Sequence, residues 1–208
     1  MATGPMTFEA LKKLVKSGEI DTVIAAFPDM QGRLMGKRFE ANFFVDGAYE
    51  ETHGCNYLLA VDVDMEPVPG YKSASWEKGY GDYVIKPDLG TIRPCPWLPK
   101  TALVLSDLLD HHTHELVPYA PRSVLKKQLE RLAKLKMKAY MASELEFYVF
   151  DQSFKEAHAG GYRTLTTPSH LNEDYNLLQT TKDENLMRAI RNGLYGAGIT
   201  VENSKGEA

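Results

Sequence analysis

The sequence predicts an α+β chain in which a small, loop-rich β region comes first and a helix-then-strand stretch follows. Two strand-like runs, DTVIAAFPD and RLMGKRF, flank a glycine-containing turn directly after an amphipathic helix. Pro and Gly cut the middle of the chain into short strand-like pieces, and PRSVLKKQLERLAKLK reads as a longer amphipathic helix ahead of another strand-like run. With 208 residues, 43% of them hydrophobic and 25% charged, the chain can bury a core and fill one large or two small domains.

Each element has a local reason. Thr7 caps a helix through FEALKKLVKSG, where Phe8, Leu11, Leu14 and Val15 recur at helical spacing and Gly18 stops it. In the hairpin, Gly32 of Met30-Gln31-Gly32 supplies the turn. From Phe43 to Pro99, YLLAVDVD and DYVIKPD read as strands, which makes Asp62 and Asp64 polar alternation in the first of them. TALVLSDLLD is a further strand and HHTHELVPYAPR a polar connector, so the domain boundary falls between Asp110 and Arg122, drawn as 1–112 and 113–208. Pro121 opens the long helix. KAYMASELEFYVFD then reads as a strand, DENLMRAIRNGLYGAG as a helix ended by Gly196 or Gly198, and ITVENSKGEA as the start of another strand.

Composition excludes several functions. A net charge of -4 and a pI near 5.9 give no electrostatic attraction to nucleic acid or to an anionic membrane. No apolar run approaches the ~20 residues that span a bilayer, and MATGPMTFEALKK lacks the apolar centre of a signal peptide, so the expected location is cytoplasmic. Cys55 and Cys95 stand apart from any C-x-x-C pair and are expected to be reduced. His111, His112 and His114 read as a solvated loop rather than a zinc site, since no second ligand cluster accompanies them. Trp76 and Tyr80 could line a ligand pocket, form a subunit contact or simply anchor a loop, and Gly160-Gly161 lacks the surroundings of a phosphate loop.

The most informative stretch is SELEFYVFD. In a strand, residues two apart share a face, so Glu144 and Glu146 would project side by side while Leu145, Phe147 and Val149 line the other face. A solvent face explains such a pair. So does a hard-cation site, since carboxylate oxygens suit Mg²⁺ or Mn²⁺, and Glu202 and Glu207 in VENSKGEA would be further donors.

The order of pieces resembles the first half of the glutamine synthetase family, over essentially the whole chain. DTVIAAFPDMQGRLMGKRF and GDYVIKPDLGTIRPCPW, with Asp82, Pro87 and Asp88, look like that family's β-grasp domain. YAPRSVLKKQLERL followed by ASELEFYVFD looks like the opening of its catalytic domain, and GLYGAGITVENSKGEA like the next metal-bearing strand. The implied fold is therefore an N-terminal β-grasp domain followed by the start of a glutamine synthetase-type catalytic α/β domain. The resemblance implies that Glu144 binds the metal touching the ATP phosphates, that Glu146 and Glu207 bind the metal on the glutamate side, and that Glu202 contacts the nucleotide. It implies Mg²⁺ or Mn²⁺ at two sites and ATP as co-substrate, with no acid or base assigned. The implied reaction phosphorylates the glutamate γ-carboxylate, after which an amine displaces phosphate from γ-glutamyl phosphate to give an amide.

Two departures refine this. Ammonia-using members carry F-D-G-S-S where this chain has THGCNYLLAVDVD, which favours a larger amine, as in the family's γ-glutamyl-polyamine and γ-glutamyl-monoamine ligases. The family's G-Q-x-E, His, Arg and flap Glu residues would lie after Ala208, so the chain is expected to be an N-terminal fragment with part of a site, inactive and poorly folded in its second half when made alone. The family assembles in stacked rings, which implies a homo-oligomer, a dodecamer by resemblance, for the longer form. The alternative expectation is a non-catalytic relative used for structure or assembly.

Overall fold

The computed structural model describes residues 4–77 and 79–207, and the chain divides into two compact units, 1–139 with 196–198 and 140–195 with 199–208. In the first unit, helix α1 (Phe8–Lys16) starts where the Thr7 hydroxyl accepts a hydrogen bond from the Ala10 N–H at 3.2 Å. Its Leu11 and Val15 pack into a core with Val23, Phe44, Ile92 and Val104. Strands β1 (Thr22–Pro28) and β2 (Leu34–Glu40) form the expected hairpin, with Gly32 at φ +81° in its turn.

A short helical turn α2 (Ala41–Phe43) leads into β3 (Thr52–Cys55), β4 (Asp82–Pro87), the two-residue β5 (Arg93–Pro94) and the ten-residue β6 (Thr101–Asp110). The sheet order is β2-β1-β6-β4-β3, with β5 also on β6. Among the described residues only β1 and β6 run parallel, Thr22 opposite Thr101, and the remaining ladders are antiparallel. β6 is buried nearly throughout because it lies inside the sheet, and it carries Ser106 and Asp107 among its apolar residues. Val23 and Ala25 turn toward the α1 core, whereas Ala26 packs with Cys95 and Leu103. A third cluster gathers Phe27, Tyr83, Ile85, Leu108 and Val117. Gly36 is dictated by close approach: a Cβ there would lie 2.0 Å from the Ala25 carbonyl oxygen.

Helix α3 (Pro121–Lys134) begins with proline at its first turn, as expected. YLLAVDVD is not a strand. Asn56–Leu59 form a 3₁₀ turn, and Asp62 Oδ1 then accepts hydrogen bonds from the Asp64 and Glu66 N–H groups at 2.9 and 3.0 Å. The aspartate side chain thus offers the backbone a turn in place of a ladder.

The second unit holds α4 (Phe154–Ala159), then α5 (Leu177–Thr180) and all but the last residue of α6 (Glu184–Gly196). Helix α4 starts on a capping box between Ser153 and Glu156, a local signal inside a stretch whose composition alone marks it only as polar. After α6, Gly198 takes φ +79° and the Ile199 N–H reaches the Leu194 carbonyl at 2.9 Å. The two strands expected in SELEFYVFD and ITVENSKGEA are not formed. Among the described residues no ladder pairs with 138–150 or 199–207, and a strand without a neighbour leaves its N–H and C=O groups to water. Leu145 is accordingly 81% exposed and Phe147 52%.

Candidate functional site

Glu144 and Glu146 lie on the irregular segment 138–150, both exposed, so the two-residue period of a strand does not set their directions. Glu202 and Glu207 lie on 199–207, also exposed. That second segment is fastened from within its own unit. Arg191 reaches the Ser204 hydroxyl at 2.8 Å and Glu184 on its own helix, and the Tyr175 N–H donates to the Gly206 carbonyl at 3.3 Å. Lys205 forms an ion pair with Glu207 and stands 4.6 Å over the Tyr175 ring. The Glu207 hydrogen bond holds the Lys205 ammonium above its ordinary pKa, so this carboxylate already has a cation beside it.

The donor chemistry of these four residues suits a hard divalent cation, but the structure does not assemble it. Among the described residues no three His, Cys, Asp or Glu side chains are placed to hold a metal ion together.

Two polar networks organise the first unit. Asp29, 1% exposed just after β1, accepts from the Gln31 and Arg33 N–H groups at 2.9 and 2.8 Å and from Arg33 Nε at 2.7 Å. Arg33 carries the link onward to the Val63 and Asp62 carbonyls at 2.8 and 3.0 Å, and Gln31 Nε2 donates to the Val61 carbonyl. The hairpin turn thus clamps the loop that follows the 3₁₀ turn. Burial works to raise the Asp29 carboxyl, but the hydrogen bonds from Arg33 and Gln31 outweigh it and hold the group below the usual aspartate range. In the second network Arg122 bridges Asp107 at 2.9 Å and Asp88 at 2.6 Å, with Lys126 also on Asp107, and so ties α3 to β6 and to the segment after β4.

A cleft of about 490 Å³ opens at one end of this sheet. Asn56, Tyr80, Asp82, Tyr83, Asp110 and Tyr119 line it together with two residues of the histidine turn. The Tyr83 and Tyr119 hydroxyls share a hydrogen bond of 2.9 Å; burial, then this neighbour, push the Tyr83 phenol far above its ordinary range, so it stays a neutral O–H. Tyr80 meets Trp76 and Tyr57 edge-on, with ring centroids 5.3 and 5.5 Å apart. The histidine turn is exposed, but His111 lies 5.3 Å from His53 of β3, and Glu51 approaches both His53 and His114. The sequence points to Trp76 and Tyr80 but not to Asn56, Tyr83, Asp110 and Tyr119, which share no local spacing and meet only because β3, β4 and β6 are neighbours.

Residues 118–208 match the model of the glutamine synthetase catalytic domain. Across 99% of its length the chain is 49% identical to γ-glutamylethanolamide synthetase GlnA4 of Streptomyces coelicolor, and across 95% it is 30% identical to glutamate–isopropylamine ligase of a Pseudomonas species. It spans 44% and 43% of those two relatives, less than half their length. A solved structure described as apo GmaS without ligand superposes with a TM-score of 0.61 at 16% identity, covering 89% of this chain and 39% of that one; at such identity the likeness concerns the fold alone.

Proposed function

We propose, from the premise that this chain is a relative of the glutamine synthetase-like ligases, that it forms the N-terminal part of an ATP-dependent enzyme joining an amine larger than ammonia to the γ-carboxylate of glutamate. The observation that carries this is the 49% identity, along almost the whole chain, to a protein named for making a γ-glutamyl amide. The glutamate–isopropylamine ligase at 30% points the same way. THGCNYLLAVDVD in place of F-D-G-S-S supports the preference for a larger amine.

In this reading a glutamate γ-carboxylate oxygen attacks the γ-phosphorus of ATP and ADP leaves. The amine nitrogen then attacks the acyl carbon, phosphate departs with the C–O electron pair, and the nitrogen loses a proton. Glu144, Glu146 and Glu207 would hold two Mg²⁺ or Mn²⁺ ions, with Glu202 at the nucleotide. When bound, those ions neutralise charge on the transferring phosphoryl group. All four carboxylates are exposed, and that of Glu207 is paired with Lys205. We assign residues 1–112 to a β-grasp domain, a reading supported by the parallel β1–β6 pair between antiparallel neighbours, and 113–208 to the start of the catalytic domain. The longer protein would work in the cytoplasm as a ring-shaped homo-oligomer; among the described residues no helix is long and apolar enough to cross a membrane.

The test is ADP release by a protein containing this chain at the full length of its relatives, across a panel of amines. Release that requires glutamate, Mg²⁺ and a primary amine is expected. Absence of amine-dependent release across the panel would overturn the reading in favour of a non-catalytic role in assembly.

A further inference from the structure

Residue order shows no second ligand group beside His111, His112 and His114, but the fold supplies one. His53 of β3 stands opposite Val84 of β4, and Val84 stands opposite Leu109 of β6, two residues before His111. Imidazoles far apart in the chain thereby meet at one end of the sheet. The His53 and His111 ring centres lie 5.3 Å apart at an interplanar angle of 78°, and His112 is 5.3 Å from His111. Glu51 brings a negative charge to the same place, 3.9 Å from His53 Nε2 and 4.0 Å from His114 Nδ1. The turn itself has a set shape: the Asp110 carboxylate accepts from the His112 and Thr113 N–H groups at 3.0 and 2.9 Å, and the His114 N–H donates to the Asp110 carbonyl at 2.9 Å.

The spacing of the His53 and His111 rings is that of a chelating pair. Two imidazoles bound to one tetrahedral ion through nitrogens about 2.0–2.1 Å from it have their ring centres about 5 Å apart. Both side chains are exposed, so the rings can turn about their outer torsion and direct a nitrogen to a common point without displacing packed atoms. Among the described residues no three ligating side chains converge, so the protein supplies two nitrogens and water completes the coordination. Imidazole suits Zn²⁺, Ni²⁺ and Cu²⁺, whereas Mg²⁺ and Mn²⁺ favour oxygen. The Glu51 carboxylate offsets part of the ion's charge.

We infer that His53 and His111 form a surface site for a late transition-metal ion of the Zn²⁺, Ni²⁺ and Cu²⁺ class, and that the bound ion ties β3 to the turn after β6. β3 is an edge of the sheet and pairs with β4 over four residues, so a tie from its side chain to the turn supports a short ladder. The pair exists only in the folded chain, so the ion binds the native state in preference to the unfolded one and stabilises it. The site lies wholly in the first unit, uses none of Glu144, Glu146, Glu202 or Glu207, and stands or falls independently of the ligase reading.

The untagged 208-residue chain is titrated with Ni²⁺ by calorimetry, with Mg²⁺ as the hard-cation control. His53→Gln and His111→Gln should each weaken Ni²⁺ by at least about tenfold, because either change leaves one imidazole where two had bound the same ion. His158→Gln, on the second unit, should leave the affinity unchanged. Cu²⁺ should bind more tightly than Ni²⁺, and excess Mg²⁺ should displace neither. Ni²⁺ should raise the thermal midpoint of the wild type and not that of His53→Gln. In the wild type, sub-stoichiometric Cu²⁺ should broaden amide resonances around residues 53 and 111 first, a measurement that needs no variant. Unchanged Ni²⁺ affinity in His53→Gln would overturn the inference, and so would broadening confined to the turn at 111–114, since the ion would then be held without β3. Displacement of Ni²⁺ by Mg²⁺ would overturn it as well, because it would reveal a carboxylate site in place of an imidazole one.

Discussion

Replacing Asp29 by alanine should loosen the clamp between the hairpin turn and the loop at 61–66, and its cost can be worked from the contacts. The carboxylate accepts two backbone N–H bonds and one charge-assisted bond from Arg33. The turn borders solvent, so water recovers part of the freed N–H groups, which leaves about 1 kcal/mol for the pair. The ion pair stands between two regimes: Asp29 is buried, but the Arg33 side chain is 33% exposed, and its guanidinium keeps the Asp62 and Val63 carbonyls. Between the ~0–1 kcal/mol of a surface pair and the ~3–5 of a broken buried one, about 1–2 is expected. Asp29→Ala should therefore cost about 2–3 kcal/mol, read as a lower urea midpoint at unchanged slope. The penalty should combine less than additively with that of Arg33→Ala. Because the folded carboxyl titrates below its ordinary value of 3.8, its contribution is complete above that pH and is lost as pH falls through the folded pKa. The difference between wild type and Asp29→Ala should thus narrow in acid. A midpoint shift worth under about 0.5 kcal/mol at neutral pH, or full additivity with Arg33→Ala, would refute the reasoning.

Gly36→Ala should be far more damaging than a typical strand substitution, by more than about 3 kcal/mol, because its methyl would collide with the Ala25 backbone; near-normal urea stability would contradict this. Arg122→Met should release α3 from β6 at a cost of about 2–4 kcal/mol, seen as faster amide exchange along 121–134, since Asp107 would keep Lys126 as its cation while Asp88 would lose the guanidinium and keep the Gly90 N–H. Leu11→Ala should cost about 2–5 kcal/mol by opening a cavity under α1, measured by thermal unfolding. In the full-length protein, Glu146→Gln should lower amine-dependent ADP release by at least about tenfold with an unchanged circular dichroism spectrum, because the side chain is exposed. Full activity would remove Glu146 from the metal assignment.

What residue order reveals is local. Thr7, Gly32, Pro121 and Gly198 act through the backbone geometry of their own neighbourhood, so the helix starts and the hairpin turn are legible from the residues alone. YLLAVDVD misleads because its alternation imitates a strand, whereas Asp62 captures two backbone N–H groups and folds the segment into a turn. SELEFYVFD has strand composition, but composition does not supply the neighbour that a strand requires, and among the described residues none pairs with it. The cleft is illegible for another reason. Its walls come from positions as distant as Asn56 and Tyr119, brought together by sheet order alone.

The parallel pairing of β1 with β6 also constrains when the fold can appear. Thr22 meets Thr101, whereas the hairpin pairs Ala26 with Gly36 across a turn, so the hairpin can close within microseconds of being free to move and must then wait for its other neighbour. During synthesis β1 emerges from the ribosome well before β6, with its apolar edge unpaired in the interval. Slowing translation between Pro28 and Thr101 would lengthen that exposure, so the yield of folded chain should depend on codon choice in this interval more than on codon choice after Asp110.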